Sequence, residues 1–300
     1  MIGKSSTLNY SILIIIISVI TLINSIYINN FYIFILFIFA VISSFLSTKY
    51  GIKLIKKYNF LQTIRTEGPR SHLIKSDTPT MGGLFIIPIF LLIVSCLNII
   101  SFEFKLVLLT TVSGFFFIGF IDDYLSIKNK INLGLKSKEK LMLQMFFSSF
   151  FVIFLSNSNL INNNLIFLND LTIDFKNLIF PLSIITIVAL SNSVNLTDGL
   201  DGLAGGCSSI VFCGLGTEIL LSNDKNYLIF SLLSFCMSGL CLGFLKHNYY
   251  PAKIFMGDTG SLTIGAIIGI ICVITNSFFT TFIISGIFVI EALSVTLQVS

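Results

Sequence analysis

The chain has 300 residues, 55% of them hydrophobic and only 11% charged, with a formal net charge of +4. A mean hydropathy of +0.96 leaves too little polar surface for a water-soluble domain of this length. Long apolar runs rich in Phe, with no short alternating segments, exclude an outer-membrane barrel and leave an all-α, polytopic membrane helical bundle.

Ten apolar stretches follow in chain order, at about 8–28, 31–50, 82–100, 105–124, 141–157, 178–194, 204–222, 227–245, 262–276 and 278–298. A membrane helix needs about 20 residues, so the pattern predicts about nine or ten transmembrane helices in one domain covering residues 1–300. The first stretch runs directly into "NSIYINNFY" with no small-residue cleavage site, and residues 1–30 read as an additional N-terminal membrane segment. Cys96, Cys207, Cys213, Cys236, Cys241 and Cys272 all lie in apolar runs without paired spacing and read as small buried hydrophobes, not metal ligands.

Charge placement orients the bundle. If every stretch spans, Lys4 and the loops 49–81, 125–140 and 246–261 fall on one side and hold all the basic residues except Lys105, Lys176 and Lys225. The basic side is expected to be cytoplasmic. Asp122, Asp123, Asp198, Asp201 and Asp258 fall on that same side. Carboxylates contribute little to topology, so their clustering beside the bilayer points to function.

Four polar stretches carry the chemistry. In "EGPRSHLIKSDTPTMGG", prolines and glycines break helix formation around Lys75, Thr78 and Thr80, a composition suited to a phosphate or carbonyl oxygen. In "GFIDDYLSIKNK", Asp122 and Asp123 are expected to end an apolar helix, where adjacent negative charges call for a hard cation such as Mg²⁺. In "NSVNLTDGLDGLAGG", Asn192, Asn195, Asp198 and Asp201 recur every three residues. Either a 3₁₀ turn or a helix break at Gly199 or Gly202 would aim all four into one pocket. In "HNYYPAKIFMGDTGSL", Asp258 opens an apolar run whose free N–H groups would suit phosphate. His72 and His247 lack zinc-type neighbours. The set suggests Mg²⁺-assisted phosphoryl chemistry at a membrane. The competing class is a cation-coupled transporter, which would place its carboxylates near the bilayer midplane; here they gather at the ends of the apolar runs.

These four stretches, with "FVIEALSVTLQV" near the end, resemble the phospho-N-acetylmuramoyl-pentapeptide transferase (MraY) family over about residues 31–299. "TPTMGG" distinguishes it from the WecA-like polyprenyl-phosphate N-acetylglucosamine-1-phosphate transferases, which remain the alternative within the superfamily. The resemblance implies transfer from UDP-N-acetylmuramoyl-pentapeptide to undecaprenyl phosphate, giving lipid I and UMP for peptidoglycan synthesis, with Mg²⁺. The setting implied is the inner leaflet of the bacterial inner (plasma) membrane, with the active site facing the cytoplasm. It implies a lipid-bilayer environment, no nucleic-acid partner and a homodimer. By motif, Asp122 would be the base for the lipid phosphate, Asp123 would assist at the phosphate, and Asp258 with Asp198 would hold the metal. An alternative family mechanism makes an aspartate the nucleophile. Lys75, Asp201 and Asn248 would line the nucleoside pocket, with Phe255 stacked on uracil. Thr80, Asn192, Asn195 and Asp198 would lie at the ribose and diphosphate, and Lys130 and Lys138 are candidates for phosphate. Departures from the pattern are Asp77 before TPTMGG, Ser126 after DDY and Leu133 before Gly134. The family pattern continues past "LQV" with a histidine-bearing loop and a last helix, so the resemblance implies a C-terminally shortened chain.

Overall fold

The computed structural model describes residues 2–58, 78–97, 101–129, 134–158, 164–168, 171–222 and 224–299. Helices α1 (Ile2–Tyr27) and α2 (Tyr32–Lys57) form an antiparallel hairpin. A 3₁₀ turn, Gly82–Phe85, leads into α3 (Ile87–Cys96), whose Pro88 sits in the first turn, where its missing N–H breaks no helical bond. There follow α4 (Phe102–Asn129), α5 (Ser137–Asn157), α6 (Ile179–Thr197), α7 (Leu203–Leu221), α8 (Leu228–Asn248), α9 (Gly257–Thr275), α10 (Phe278–Ile284) and α11 (Gly286–Val299).

Among the described residues, eight helices are long and apolar enough to cross a membrane, and α10 with α11, bent by 71°, would make a ninth. The remaining predicted stretch is the short apolar helix α3. The chain is therefore a multi-pass membrane protein. The Asn-rich connection between α5 and α6 adds a feature the sequence reading did not anticipate. It holds a small antiparallel hairpin of β1 (Asn164–Leu168) and β2 (Leu171–Asp174), with Leu165 opposite Ile173.

Helices α8 and α9 form the centre of the bundle, 83% and 89% of their apolar windows being buried, against 22% for α1 at the periphery. Lipid offers helices no hydrophobic drive to associate, so close packing and polar bridges must hold them together. Small hydroxyls supply the bridges. Ser44 Oγ donates to Leu240 O (2.7 Å), Ser231 Oγ to Gly216 O (2.8 Å), Ser238 Oγ to Ser209 O (2.7 Å) and Ser191 Oγ to Leu262 O (2.8 Å). Outward faces carry large exposed apolar side chains such as Ile15, Ile35, Phe146 and Ile185, as lipid contact requires.

The alternation of helix directions gathers the last turns of α4, α6 and α8 and the first turns of α5, α7 and α9 at one end of the bundle. The segment at 79–83 is laced to the α8–α9 connection there. Phe255 N–H donates to Pro79 O (2.8 Å), Gly82 N–H to Phe255 O (2.9 Å) and Gly83 N–H to Met256 O (3.0 Å). Three of the four polar stretches meet along this seam, and the fourth, on α4, packs against it.

Candidate active site

The site is built around the N-terminus of α9. Asp122 and Asp123 do not end their helix, contrary to the sequence expectation: α4 continues to Asn129, and both residues are buried. Their charge therefore does not face the negative end of their own helix. Asp123 instead meets the positive end of α9, where unpaired N–H groups and the helix dipole both favour an anion. Its Oδ1 accepts from Asp258 N–H (3.1 Å), and its Oδ2 accepts from Thr259 N–H (2.9 Å) and Thr259 Oγ1 (2.6 Å). Asp123 is thus a capping carboxylate supplied by a different helix. The N–H groups expected to be free for phosphate are occupied by it. The close approach depends on Gly119, one turn earlier on α4, because a Cβ there would collide with the Asp258 carbonyl.

Capping by Asp123 fixes Asp258, which is half-buried and faces the remaining groups. Asp258 Oδ2 pairs with Lys140 Nζ at 2.6 Å, and the same ammonium lies 3.0 Å from Asp122 Oδ1. Asp258 Oδ1 accepts from Asn195 Nδ2 (2.8 Å), whose amide also reaches Ser261 Oγ (2.9 Å). Asp122 Oδ1 accepts from Leu135 N–H (2.9 Å), which ties the start of α5 to α4. Lys140 lies in the first turns of α5, where the helix dipole disfavours a cation; the two carboxylates supply the compensation.

The "NSVNLTDGLDG" stretch resolves as a helix break, not a 3₁₀ run. Helix α6 stays α-helical to Thr197, Asp198 caps its C-terminus, and Gly202 takes a left-handed φ of 77° to start α7. The four polar groups consequently fan out along a seam and do not fill one pocket. Asn195 reaches Asp258. Asn192 Nδ2 donates to Gln144 Oε1 (2.7 Å) and to Val188 O (2.8 Å). Asp198 accepts from Gly257 N–H. Burial pushes its carboxyl well above the ordinary range, the charges of Asp258 and Asp123 add to this, and the Gly257 bond opposes it. Asp201 Oδ2 accepts from Ala252 N–H (3.1 Å).

Asn248 is buried and bridges the same seam. Gly202 N–H donates to its Oδ1 (3.1 Å), and its Nδ2 donates to Ile254 O (2.9 Å). Thr80 is buried beside the N-terminus of α9, its Oγ1 lying 3.1 Å from where a Cβ on Gly257 would stand. Phe255 is half-buried and carries two of the backbone bonds to residues 79–82. Lys138 is exposed. Lys75, Lys130, His72, Asp77 and Leu133 lie outside the described residues.

Comparison with known proteins gives this site its setting. A family model described as glycosyl transferase family 4 matches residues 105–276, and a phospho-N-acetylmuramoyl-pentapeptide-transferase signature matches residues 75–87. A protein of Prochlorococcus marinus strain MED4, named phospho-N-acetylmuramoyl-pentapeptide-transferase, is 54% identical over 302 residues, covering 100% of this chain and 84% of its own. The protein of that name from strain MIT 9301 is also 54% identical with the same coverage. One from Halalkalibacterium halodurans is 44% identical over 252 residues, covering 83% of this chain and 76% of its own.

The chain belongs to the phospho-N-acetylmuramoyl-pentapeptide transferase family.

For a member of this transferase family the site is rich in hard oxygen donors. The carboxylates of Asp122 and Asp258 pair with the Lys140 ammonium, and those of Asp123 and Asp198 accept from the N–H groups at the start of α9. Among the described residues no three His, Cys, Asp or Glu side chains already converge as a metal cage. Asp258 and Asp198 nonetheless bring two carboxylates to the start of α9. This suits Mg²⁺, which takes one or two carboxylates and completes its shell with substrate phosphates and water. Sequence reading missed Lys140, counting it only toward topology, and missed Gln144 altogether. A signal was present: "KEKLMLQMFFSS" places Lys140, Gln144 and Ser148 at four-residue intervals on one face of an otherwise apolar helix.

Proposed function

We propose that this chain transfers phospho-N-acetylmuramoyl-pentapeptide from its UDP donor to undecaprenyl phosphate, releasing UMP and forming lipid I. The reaction is placed at the cytoplasmic face of the bacterial plasma membrane. The observation that carries this reading is the meeting of Asp122, Asp258, Asn195 and Lys140, from four different helices, at the end of the bundle that bears most of the basic residues.

In the proposed reaction an oxygen of the lipid phosphate attacks the donor phosphorus that bears the sugar. A new P–O–P bond forms, the bond from that phosphorus to the bridging oxygen breaks, and UMP departs with the oxygen. Asp122, whose carboxyl faces Asp258 as well as Leu135 N–H and Lys140, takes the proton of the lipid phosphate. Lys140 screens the approach of two anions and is near enough to shift from carboxylate to phosphate. Asp258 and Asp198 are the residues that would hold Mg²⁺, which when bound supplies positive charge to the diphosphate. Asp123 and Asn195 hold Asp258 in place. Asp201, Asn248 and Phe255 shape the donor pocket through the α8–α9 connection.

The lipid carrier has an apolar place beside this site. A cavity of about 550 Å³ lies between α6 and the bent α10–α11 pair, lined by residues such as Leu182, Ile185, Phe278, Phe282, Val289 and Leu293. The cavity runs along α6 as far as Ser193, so a chain lying in it would approach the carboxylates from within the bilayer.

The test is conversion of both substrates by the purified protein, following the lipid-extractable sugar product. Product is expected with Mg²⁺, none after chelation with EDTA, and at least about 100-fold less from Asp258→Asn. Wild-type rates from that variant, or indifference to EDTA, would overturn the reading.

A further inference from the structure

Gln144 is completely buried, on a helix whose other described face looks into lipid, and it belongs to no motif recognised in the sequence. It lies one turn beyond Lys140 on the same face of α5. Its Oε1 accepts from Asn192 Nδ2 (2.7 Å), and its own Nε2 donates back to Asn192 Oδ1 (3.5 Å). The fully buried Gln144 amide has few alternatives to the half-buried Asn192, because sliding of one helix leaves its donors and acceptor unmet.

The pair is one of two rungs between the same helices. Lys140 and Gln144 are four residues apart on α5, about 6 Å along its axis. Asn192 and Asn195 are three apart on α6, about 4.5 Å along its axis. The Gln144–Asn192 rung joins the helices directly. The second rung runs from Lys140 Nζ through Asp258 to Asn195 Nδ2. The long Lys140 side chain alone would leave the axial position of its ammonium loosely defined. The short, two-bonded amide rung below it does not.

We propose that Gln144 is a positioning residue for the transfer reaction: with Asn192 it locks the register of α5 against α6 and so holds Lys140 between Asp122 and Asp258. This rests on the reading of the site given above. It gives Asn192 a role within the protein, in place of one on the donor's ribose or diphosphate. It also makes Gln144, a completely buried side chain, matter to turnover.

The test uses Gln144→Leu, which keeps the volume and removes the amide, and the exchanged pair Gln144→Asn with Asn192→Gln, which keeps two facing amides. Two readouts are taken on folded protein: steady-state UMP release, and the rate at which a small amine-reactive reagent labels Lys140, followed by mass spectrometry. Gln144→Leu is expected to lower kcat about 10- to 100-fold with the donor KM within about threefold, the scale of a slightly misplaced group. It should also speed labelling of Lys140 at least about fivefold, as an ammonium freed from its carboxylates becomes more accessible. The exchanged pair should restore most of both. Unchanged labelling and unchanged kcat in Gln144→Leu would overturn the proposal, as would a rise in donor KM alone, which would put Asn192 on the substrate. Failure of the exchanged pair to recover either readout would also overturn it. Wild-type protein that releases no UMP but shows the expected labelling pattern would instead count against the assigned reaction and leave the positioning role standing.

Discussion

Replacement of Asp123 by Asn separates a capping role from a chemical one. The change is isosteric, yet the carboxylate makes three bonds to the start of α9, at 3.1, 2.9 and 2.6 Å. An amide keeps one acceptor oxygen. Its best placement leaves that oxygen on the two Thr259 donors and turns the –NH₂ toward Asp258 N–H, donor against donor. The loss is one charge-assisted bond, about 1.5–3 kcal/mol, plus about 0.3–1 kcal/mol for the vanished charge at the helix N-terminus. About 2–4 kcal/mol should appear as a fall of several degrees in the detergent melting temperature, with activity falling because Asp258 is no longer held. Melting of the purified variant by intrinsic fluorescence or dye binding, with UMP release measured on the folded fraction, gives both numbers. A variant that melts like wild type but has lost turnover would refute the capping argument and place the Asp123 carboxylate on the substrate.

Other consequences follow from the same geometry. Lys140→Met should leave Asp122 and Asp258 facing each other without a counter-charge and reduce kcat by about 100-fold or more in the UMP-release assay; a loss under threefold would contradict its place in the site. Gly119→Ala forces a methyl into the Asp258 carbonyl and should destabilise the protein by about 1–3 kcal/mol, read as a lower melting temperature and reduced yield. Asp201→Asn weakens the hold on Ala252 N–H and should raise the donor KM more than it lowers kcat, checked by donor titration. Asp198 carries a raised pKa, so its ionised form costs stability above that pKa, and the cost disappears as pH falls and the carboxyl protonates. In chelator at neutral pH, Asp198→Asn should therefore melt above wild type, with the gap closing on acidification; a gap that widens would reverse the sign of the argument.

The membrane class, the positions of the apolar stretches and the gathering of acids at one end were legible, because lipid penalises unpaired charge so heavily that five aspartates beside apolar runs need a reason. The short α3 and the bend between α10 and α11 were not, since hydropathy alone does not distinguish a full span from a broken one. Asp123 shows the limit of local reasoning. Next to Asp122 in sequence, it looked like half of a charge pair at a helix end, and only the packing of α4 on α9 turns it into a cap. Asn192 and Asn195 look equivalent in "NSVN", yet the three-residue step rotates one toward Gln144 and the other toward Asp258. Lys140 was hidden among lysines that topology already explained. Its first-turn position on α5, unfavourable for a cation, was the overlooked clue.

UMP release in detergent reads the identity of the donor directly. UDP-N-acetylmuramoyl-pentapeptide and UDP-N-acetylglucosamine are each offered separately with undecaprenyl phosphate and Mg²⁺. Release that depends on the lipid phosphate is expected with the pentapeptide donor, and none above background with UDP-N-acetylglucosamine. Release with UDP-N-acetylglucosamine but not with the pentapeptide donor would contradict that expectation and move the chain's activity to the WecA-like reaction.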